Sequence, residues 1–438
     1  MSAAPAVSAA RRREVIDALR RGTVPQAGLD LFAVGLDRFA GALDEELAVV
    51  AKGGAAFHAV RGEYGAGKTF FARWLGERAK RAGLAVAEIQ ISETETPLHR
   101  LETVYRRLTE RLVTATHQPS ALRPVVDGWF YALEEEVLDD AGDLDDAALA
   151  VAVEDLMERR LAEVARTTPA FSAALRGYRR ARNTGDGATA EALIAWLGGQ
   201  RSVAAAAKRA AGVRGDLDHF AALGFLQGLL TVLRDSGHPG LLLVLDEIET
   251  LQRVRSDVRE KGLNALRQLL DEIDNGRFPG LFLLITGTPA FFDGQQGAQR
   301  LPPLAQRLAT DFTTDPRFDS PRAVQLRLTG FDLPRLGELG RAVRDLYAAG
   351  AGDSERVMSV VDDAYVAELA AAVTGGLGGK VGLAPRVFLR KLVSDVLDRV
   401  AEFDDFDPRR HYALTISGSE LTETERNAAS AGEIDLDL

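Results

Sequence analysis

Cysteine is absent from all 438 residues. That excludes structural disulfides, thiolate catalysis and cysteine-ligated zinc, and it makes a reducing cytoplasm the expected compartment. No apolar run approaches the roughly 20 residues that span a bilayer. The Ala-rich start, followed by Arg11-Arg12-Arg13, lacks the apolar core of a signal peptide, so a soluble chain without membrane contact is expected. Positive charge is also in short supply: 53 Lys and Arg stand against 64 Asp and Glu, a net charge of −11. Such a chain does not coat nucleic acid by bulk electrostatics, although a local basic face is compatible with it. No solenoid-type repeat stands out. What is present, 46% apolar and 27% charged residues, is a globular balance in a chain long enough to bury a large core in two or three units.

The most informative stretch is Gly62-Glu63-Tyr64-Gly65-Ala66-Gly67-Lys68-Thr69. It fits G-x-x-x-x-G-K-[ST] without a mismatch. Phe57 to Val60 before it reads as a strand, and Phe70 to Leu75 after it has the apolar spacing of a helix. The glycines let successive backbone N–H groups point inward, an anion nest at a helix N-terminus. Lys68 would then reach the β- and γ-phosphates of a nucleoside triphosphate, and the Thr69 hydroxyl would help to hold Mg²⁺. A glycine-rich turn that holds nothing is the competing reading, and an eight-residue match between strand and helix disfavours it.

Upstream, Arg11 to Arg21 and Gly35 to Ala51 carry helical patterns. Between them, Val24-Pro25 to Gly35 either wraps the nucleotide base or is a plain connector. Downstream, Ala85 to Ile91 reads as a strand and Leu98 to Ala115 as a helix. From Gln118 to Asp218 the pattern is helical with no strand signal, an all-helical insertion. Its cluster Arg176-Gly177-Tyr178-Arg179-Arg180-Ala181-Arg182 could grip phosphates and stack on bases. Flanking acids favour solvated helix faces instead. Leu241 to Leu245 and Leu281 to Ile285 are continuous apolar runs suited to strands covered on both faces, whereas Ala323 to Thr329 alternates as an edge strand does. Helical patterning then runs to about Phe403. The expected division is 1–117 for the N-terminal helices and the first half of the core, 118–218 for the insertion and 219–330 for the second half. A helical lid over 331–412 and a flexible acidic tail over 413–438 complete it.

Hydrolysis needs more than a phosphate loop. Asp246-Glu247 ends an apolar strand: Asp246 would hold Mg²⁺ through water, and Glu247 would orient and deprotonate the attacking water. The alternative is a helix start with dipole-favoured acids. Thr286, with Thr288 as its rival, ends the neighbouring strand where a polar residue can sense the γ-phosphate, although Thr-Gly-Thr-Pro is also good turn chemistry. A guanidinium would stabilise the charge of phosphoryl transfer. Arg307, with Arg300 as its rival, is placed to reach a neighbouring subunit's nucleotide, so a homo-oligomer is compatible. Arg386, in Gly382-Leu383-Ala384-Pro385-Arg386, could fold back over the triphosphate or be an ordinary surface arginine.

These motifs resemble the AAA+ class of ATPases over Val24 to Thr116, Gly237 to Thr329 and the helices to about Phe403. The resemblance implies an α/β P-loop core with a parallel five-stranded sheet of order 5-1-4-3-2, the helical insertion and a C-terminal helical lid. The Pro-Arg stretch resembles the Orc and Cdc6 initiator branch, but too little chain remains past Phe403 for that branch's full winged-helix domain. Gly22-Thr23-Val24-Pro25, Arg61 through Thr69 to Phe70, and Glu95-Thr96-Pro97-Leu98-His99 with Val104-Tyr105 resemble the ATP-binding proteins of BREX phage-defence systems, the BrxD kind by length. That resemblance implies ATP and Mg²⁺ as ligands and a defence role beside a helicase, a methyltransferase and a phosphatase-like partner. It leaves DNA as a further partner, with the insertion as the contact surface. The resemblance also implies that Val24, Pro25 and Phe70 join the loop in holding the nucleotide. The rival functions are a nucleotide-gated scaffold with negligible hydrolysis and a DNA-remodelling or helicase-loading ATPase outside defence.

Overall fold

The computed structural model describes residues 7–142, 144–376 and 385–417. The expected tail from 418 onward and Gly382-Leu383-Ala384 lie outside the described residues. Helices α1 (Ala9–Arg20) and α2 (Asp37–Ala51) lead into β1 (Ala56–Arg61), α3 (Lys68–Arg81), β2 (Ala85–Gln90) and α4 (Leu101–Arg111). Helices α5 (Leu122–Ala141), α6 (Asp146–Arg160), α7 (Ala162–Thr167), α8 (Pro169–Asn183), α9 (Gly187–Leu197), α10 (Ala205–Ala210) and α11 (Ala222–Asp235) come next. The core resumes with β3 (Leu241–Asp246), α12 (Ser256–Asp274), β4 (Leu281–Gly287), α13 (Pro289–Asp293), α14 (Pro302–Arg307) and β5 (Gln325–Arg327). The C-terminal helices are α15 (Leu333–Ala348), α16 (Ser354–Val360), α17 (Asp363–Gly376), α18 (Pro385–Arg390), α19 (Asp398–Glu402) and α20 (Pro408–His411), with a wide-turn stretch Lys391–Leu397 joining α18 to α19.

The five strands pair in the order β2-β3-β4-β1-β5, all parallel. This is the expected 5-1-4-3-2 order seen from the other edge. The apolar runs of β3 and β4 have no exposed face, as a sheet sandwiched between helices requires. Strand periodicity sends Leu241, Leu243 and Leu245 to one face and Leu242 and Val244 to the other. The first face carries α4, α11, α12 and the 118–218 helices; the second carries α1, α2, α3 and the C-terminal helices.

Every regular element among the described residues of 118–218 is a helix, and the core of these helices is continuous with the sheet's. Phe225 of α11 packs edge-on against Tyr105 of α4, Phe171 of α8 and Trp196 of α9, at centroid distances of 5.6, 5.2 and 5.4 Å. Helix α4 stops four residues short of the expected Ala115. Val113 instead exchanges both backbone hydrogen bonds with Val86, each 2.9 Å, and so closes the open edge of β2. The other edge strand, β5, is only three residues long.

The N-terminal and C-terminal helices are tied together. Arg20 of α1 donates to both carboxylate oxygens of Asp398, and the Tyr347 hydroxyl of α15 donates to the same group at 2.9 Å. No helix among the described residues is long and apolar enough to cross a membrane.

Candidate functional site

The strand register places three polar side chains, Gln90, Asp246 and Thr286, at the carboxyl ends of neighbouring strands. Gln90 is level with Asp246, and Leu245 with Ile285, so Thr286 falls one residue on; Val60 is level with Thr286 at the point where β1 runs into the loop. Ligands of open parallel sheets bind at this end. The loop's turns need backbone that only glycine adopts easily: Gly65 and Gly67 have φ of 80° and 90°. Gly67 immediately precedes α3, so the positive end of that helix faces the loop's interior.

Lys68 is buried, and its Nζ donates to the carbonyls of Gly62 at 2.8 Å and Glu63 at 3.2 Å. The Tyr64 ring lies over the ammonium, 5.1 Å from Nζ to the centroid. Burial lowers the lysine's pKa, and Glu249, Asp246, Glu63 and Glu247 pull against it. Asp246 is the hub. Its Oδ2 accepts from the Thr69 hydroxyl at 3.0 Å, and its Oδ1 accepts from the Thr286 hydroxyl and from the Glu247 N–H. The Glu247 N–H is also 3.3 Å from Thr286 Oγ1. Glu247 itself has φ 59°. A left-handed conformation at a non-glycine residue costs on the order of 1 kcal/mol, and it turns the exposed carboxylate back toward the strand ends, where Gln90 Nε2 donates to it at 2.8 Å.

Val24, Pro25, Tyr64, Gly65, Ala66, Gly67, Lys68, Thr69, Phe70, Asp246, Glu247 and Arg386 line one cavity of about 480 Å³. Gly62 and Glu63 meet it through their contact with Lys68, and Thr286 lies behind Asp246. The segment containing Val24 and Pro25 is clamped to the loop's helix: Arg73 donates to the Val24 carbonyl at 2.7 Å, and Glu77 accepts from Gly28 and Leu29 N–H. Phe32 packs edge-on against Phe70 at 5.2 Å. Leu339, Pro385, Arg386 and Leu389 close the cavity from the C-terminal helices, and Arg386 lies beside Gly22.

Arg307 does not join its own chain's cavity. It sits at the opposite end of the sheet among residues that precede β1 and β4, where it pairs with Asp271 at 2.6 Å and with Asp274. Arg300 bonds Ser256 Oγ, and Thr288 is buried at the start of α13. The basic cluster of α8 is not a stacking platform: Tyr178 is fully buried with its hydroxyl on Asp127, and Arg176 and Arg179 pair with Glu158 and Glu134.

Magnesium fits the donor set. Among the described residues no group of three or more His, Asp or Glu side chains could cage a metal. The hydroxyl of Thr69 beside Asp246 matches a cation that takes one or two carboxylates, water and the nucleotide's own oxygens. Two residues of the site escape a reading of the sequence, Gln90 and Glu249. Glu249 is buried in the cavity wall and its pKa is raised by that burial.

Comparison with curated proteins and with solved structures finds no match for this chain. A family model described as BREX system ATP-binding protein BrxC/D matches residues 7–416. That span includes every element of the cavity, and the chain accordingly belongs to the BrxC/D family of BREX system ATP-binding proteins.

Proposed function

We propose that this chain is a Mg²⁺-dependent ATPase of the AAA+ kind, and that its C-terminal helices act as a lid converting nucleotide state into movement. The observation that carries the reading is the convergence on Asp246. One carboxylate is held by the phosphate loop's Thr69 and by Thr286 of the adjacent strand, with Glu247 next to it. In this reading Lys68 grips the β- and γ-phosphates, while Thr69 and Asp246 hold Mg²⁺, which neutralises charge on the phosphate oxygens. Glu247 orients and deprotonates water, Thr286 fixes Asp246 and the Glu247 backbone relative to that water, and Arg386 approaches the triphosphate from the lid. Val24 and Pro25 face the base. The chain works in phage defence with other system proteins, a helicase, a methyltransferase and a phosphatase-like protein, and with DNA. The insertion, on the sheet face away from the lid, is the partner surface. The likeness to Orc and Cdc6 initiators belongs to this proposal as well.

Steady-state phosphate release from ATP, with and without duplex DNA, tests the reading. Turnover that needs Mg²⁺ supports it; tight ATP binding without turnover under either condition would make the chain a nucleotide-gated scaffold. Arg307 is proposed to act across subunits, because it lies at the end of the sheet away from its own chain's cavity, and that role would require it to exchange Asp271 and Asp274 for the neighbouring nucleotide. Activity per chain should then rise with protein concentration and fall by about a thousandfold on Arg307→Ala, at the low end of the range for an arginine finger. Concentration-independent turnover unaffected by the substitution would remove that role.

A further inference from the structure

Glu249 stands three residues after Asp246, on the single turn Ile248–Gln252 that follows Glu247. It is 5% exposed, and neither carboxylate oxygen has a hydrogen-bond partner. It lines the same cavity as Lys68, Thr69 and Asp246. A buried carboxylate to which no other residue donates is costly unless a cation or its ligands come to it. The other acids of the site are already engaged. Asp246 spends both oxygens on Thr69, Thr286 and the Glu247 N–H, and Glu247 holds Gln90.

Mg²⁺ dehydrates reluctantly, so it brings several bound waters into a site, and each of them carries protons that need acceptors. Protein groups that receive those protons tune the affinity of the site as strongly as many direct ligands do. We infer that Glu249 is the second carboxylate of the Mg²⁺ site beside Asp246, and that it would accept hydrogen bonds from the cation's water ligands. The inference rests on the ATPase reading and adds a residue to it. It makes Glu249 a positioning residue whose effect is on metal occupancy rather than on the nucleotide alone.

The test is equilibrium binding of a fluorescent ATP to the full chain, titrated with MgCl₂ and repeated in EDTA. Glu249→Gln is nearly isosteric and removes a buried charge. The free Mg²⁺ needed for half-maximal gain in ATP affinity should rise about tenfold, while affinity in EDTA should not fall. Glu249→Asp keeps the charge but shortens its reach, so it should raise the requirement by a smaller factor and serves if the glutamine variant does not fold. If the native chain binds ATP and both variants keep its Mg²⁺ requirement, the inference is wrong and the ATPase reading stands. Weaker binding in EDTA with an unchanged Mg²⁺ requirement would assign Glu249 to Lys68 and also overturn it. If the native chain binds no ATP at any Mg²⁺ concentration, the ATPase reading falls and takes this inference with it.

Discussion

Alanine in place of Lys68 should leave a folded chain that binds ATP on the order of a hundredfold more weakly. The loss corresponds to roughly 3 kcal/mol of charge-assisted hydrogen bonding. The ammonium sits inside the loop, on the Gly62 and Glu63 carbonyls and beneath the Tyr64 ring. From there it is within reach of any anion that the α3 N-terminus attracts. Burial already presses this group toward its neutral form, against Glu249, Asp246, Glu63 and Glu247. Removing it therefore withdraws a desolvated charge as well as a binding group, and thermal unfolding should stay near the native midpoint. Calorimetric titration with ATP decides the matter. A dissociation constant within a few-fold of the native one would mean that the loop is not where the triphosphate tail binds.

Glutamine at 247 should have the opposite profile, with ATP affinity retained and hydrolysis slowed by about 10²- to 10⁴-fold, the range for losing a general base. The substitution keeps size and shape, and an amide can still meet Gln90. The backbone contacts of residue 247 with Asp246 and Thr286 do not involve the side chain. What disappears is the ability to take a proton from water. Single-turnover hydrolysis measured beside ATP binding separates the two quantities, and native turnover in the variant would remove Glu247 from the chemistry.

The sheet was legible in the sequence because buried parallel strands leave continuous apolar runs, and because the phosphate loop and Asp246-Glu247 each mark a strand's end. Gln90 and Glu249 were not legible. A glutamine closing one strand and an acid just past the Asp-Glu pair carry no local signal. Their meaning comes from the register that sets Gln90 beside Asp246 and from the burial of the 248–252 turn. Tyr178 could have been placed correctly. Phe171, Ala174, Leu175, Tyr178 and Ala181 recur at helical spacing, and that stripe outweighs the arginines around it. The helical period also runs on through Leu112 and Val113, where a vacant strand edge wins over propensity. For Arg307, nothing in Leu304 to Leu308 says at which end of the sheet the guanidinium will lie.

The aromatic clasp around Phe225 joins α8 and α9 of the 118–218 helices to α4. Phe171 of α8 and Trp196 of α9 both meet Tyr105 through this shared ring partner. Tyr105 belongs to the helix that next follows β2, the strand whose final residue steadies Glu247. The helices of 118–218 are thus packed into the same core as the face of the sheet they cover, one ring contact away from the helix that follows β2.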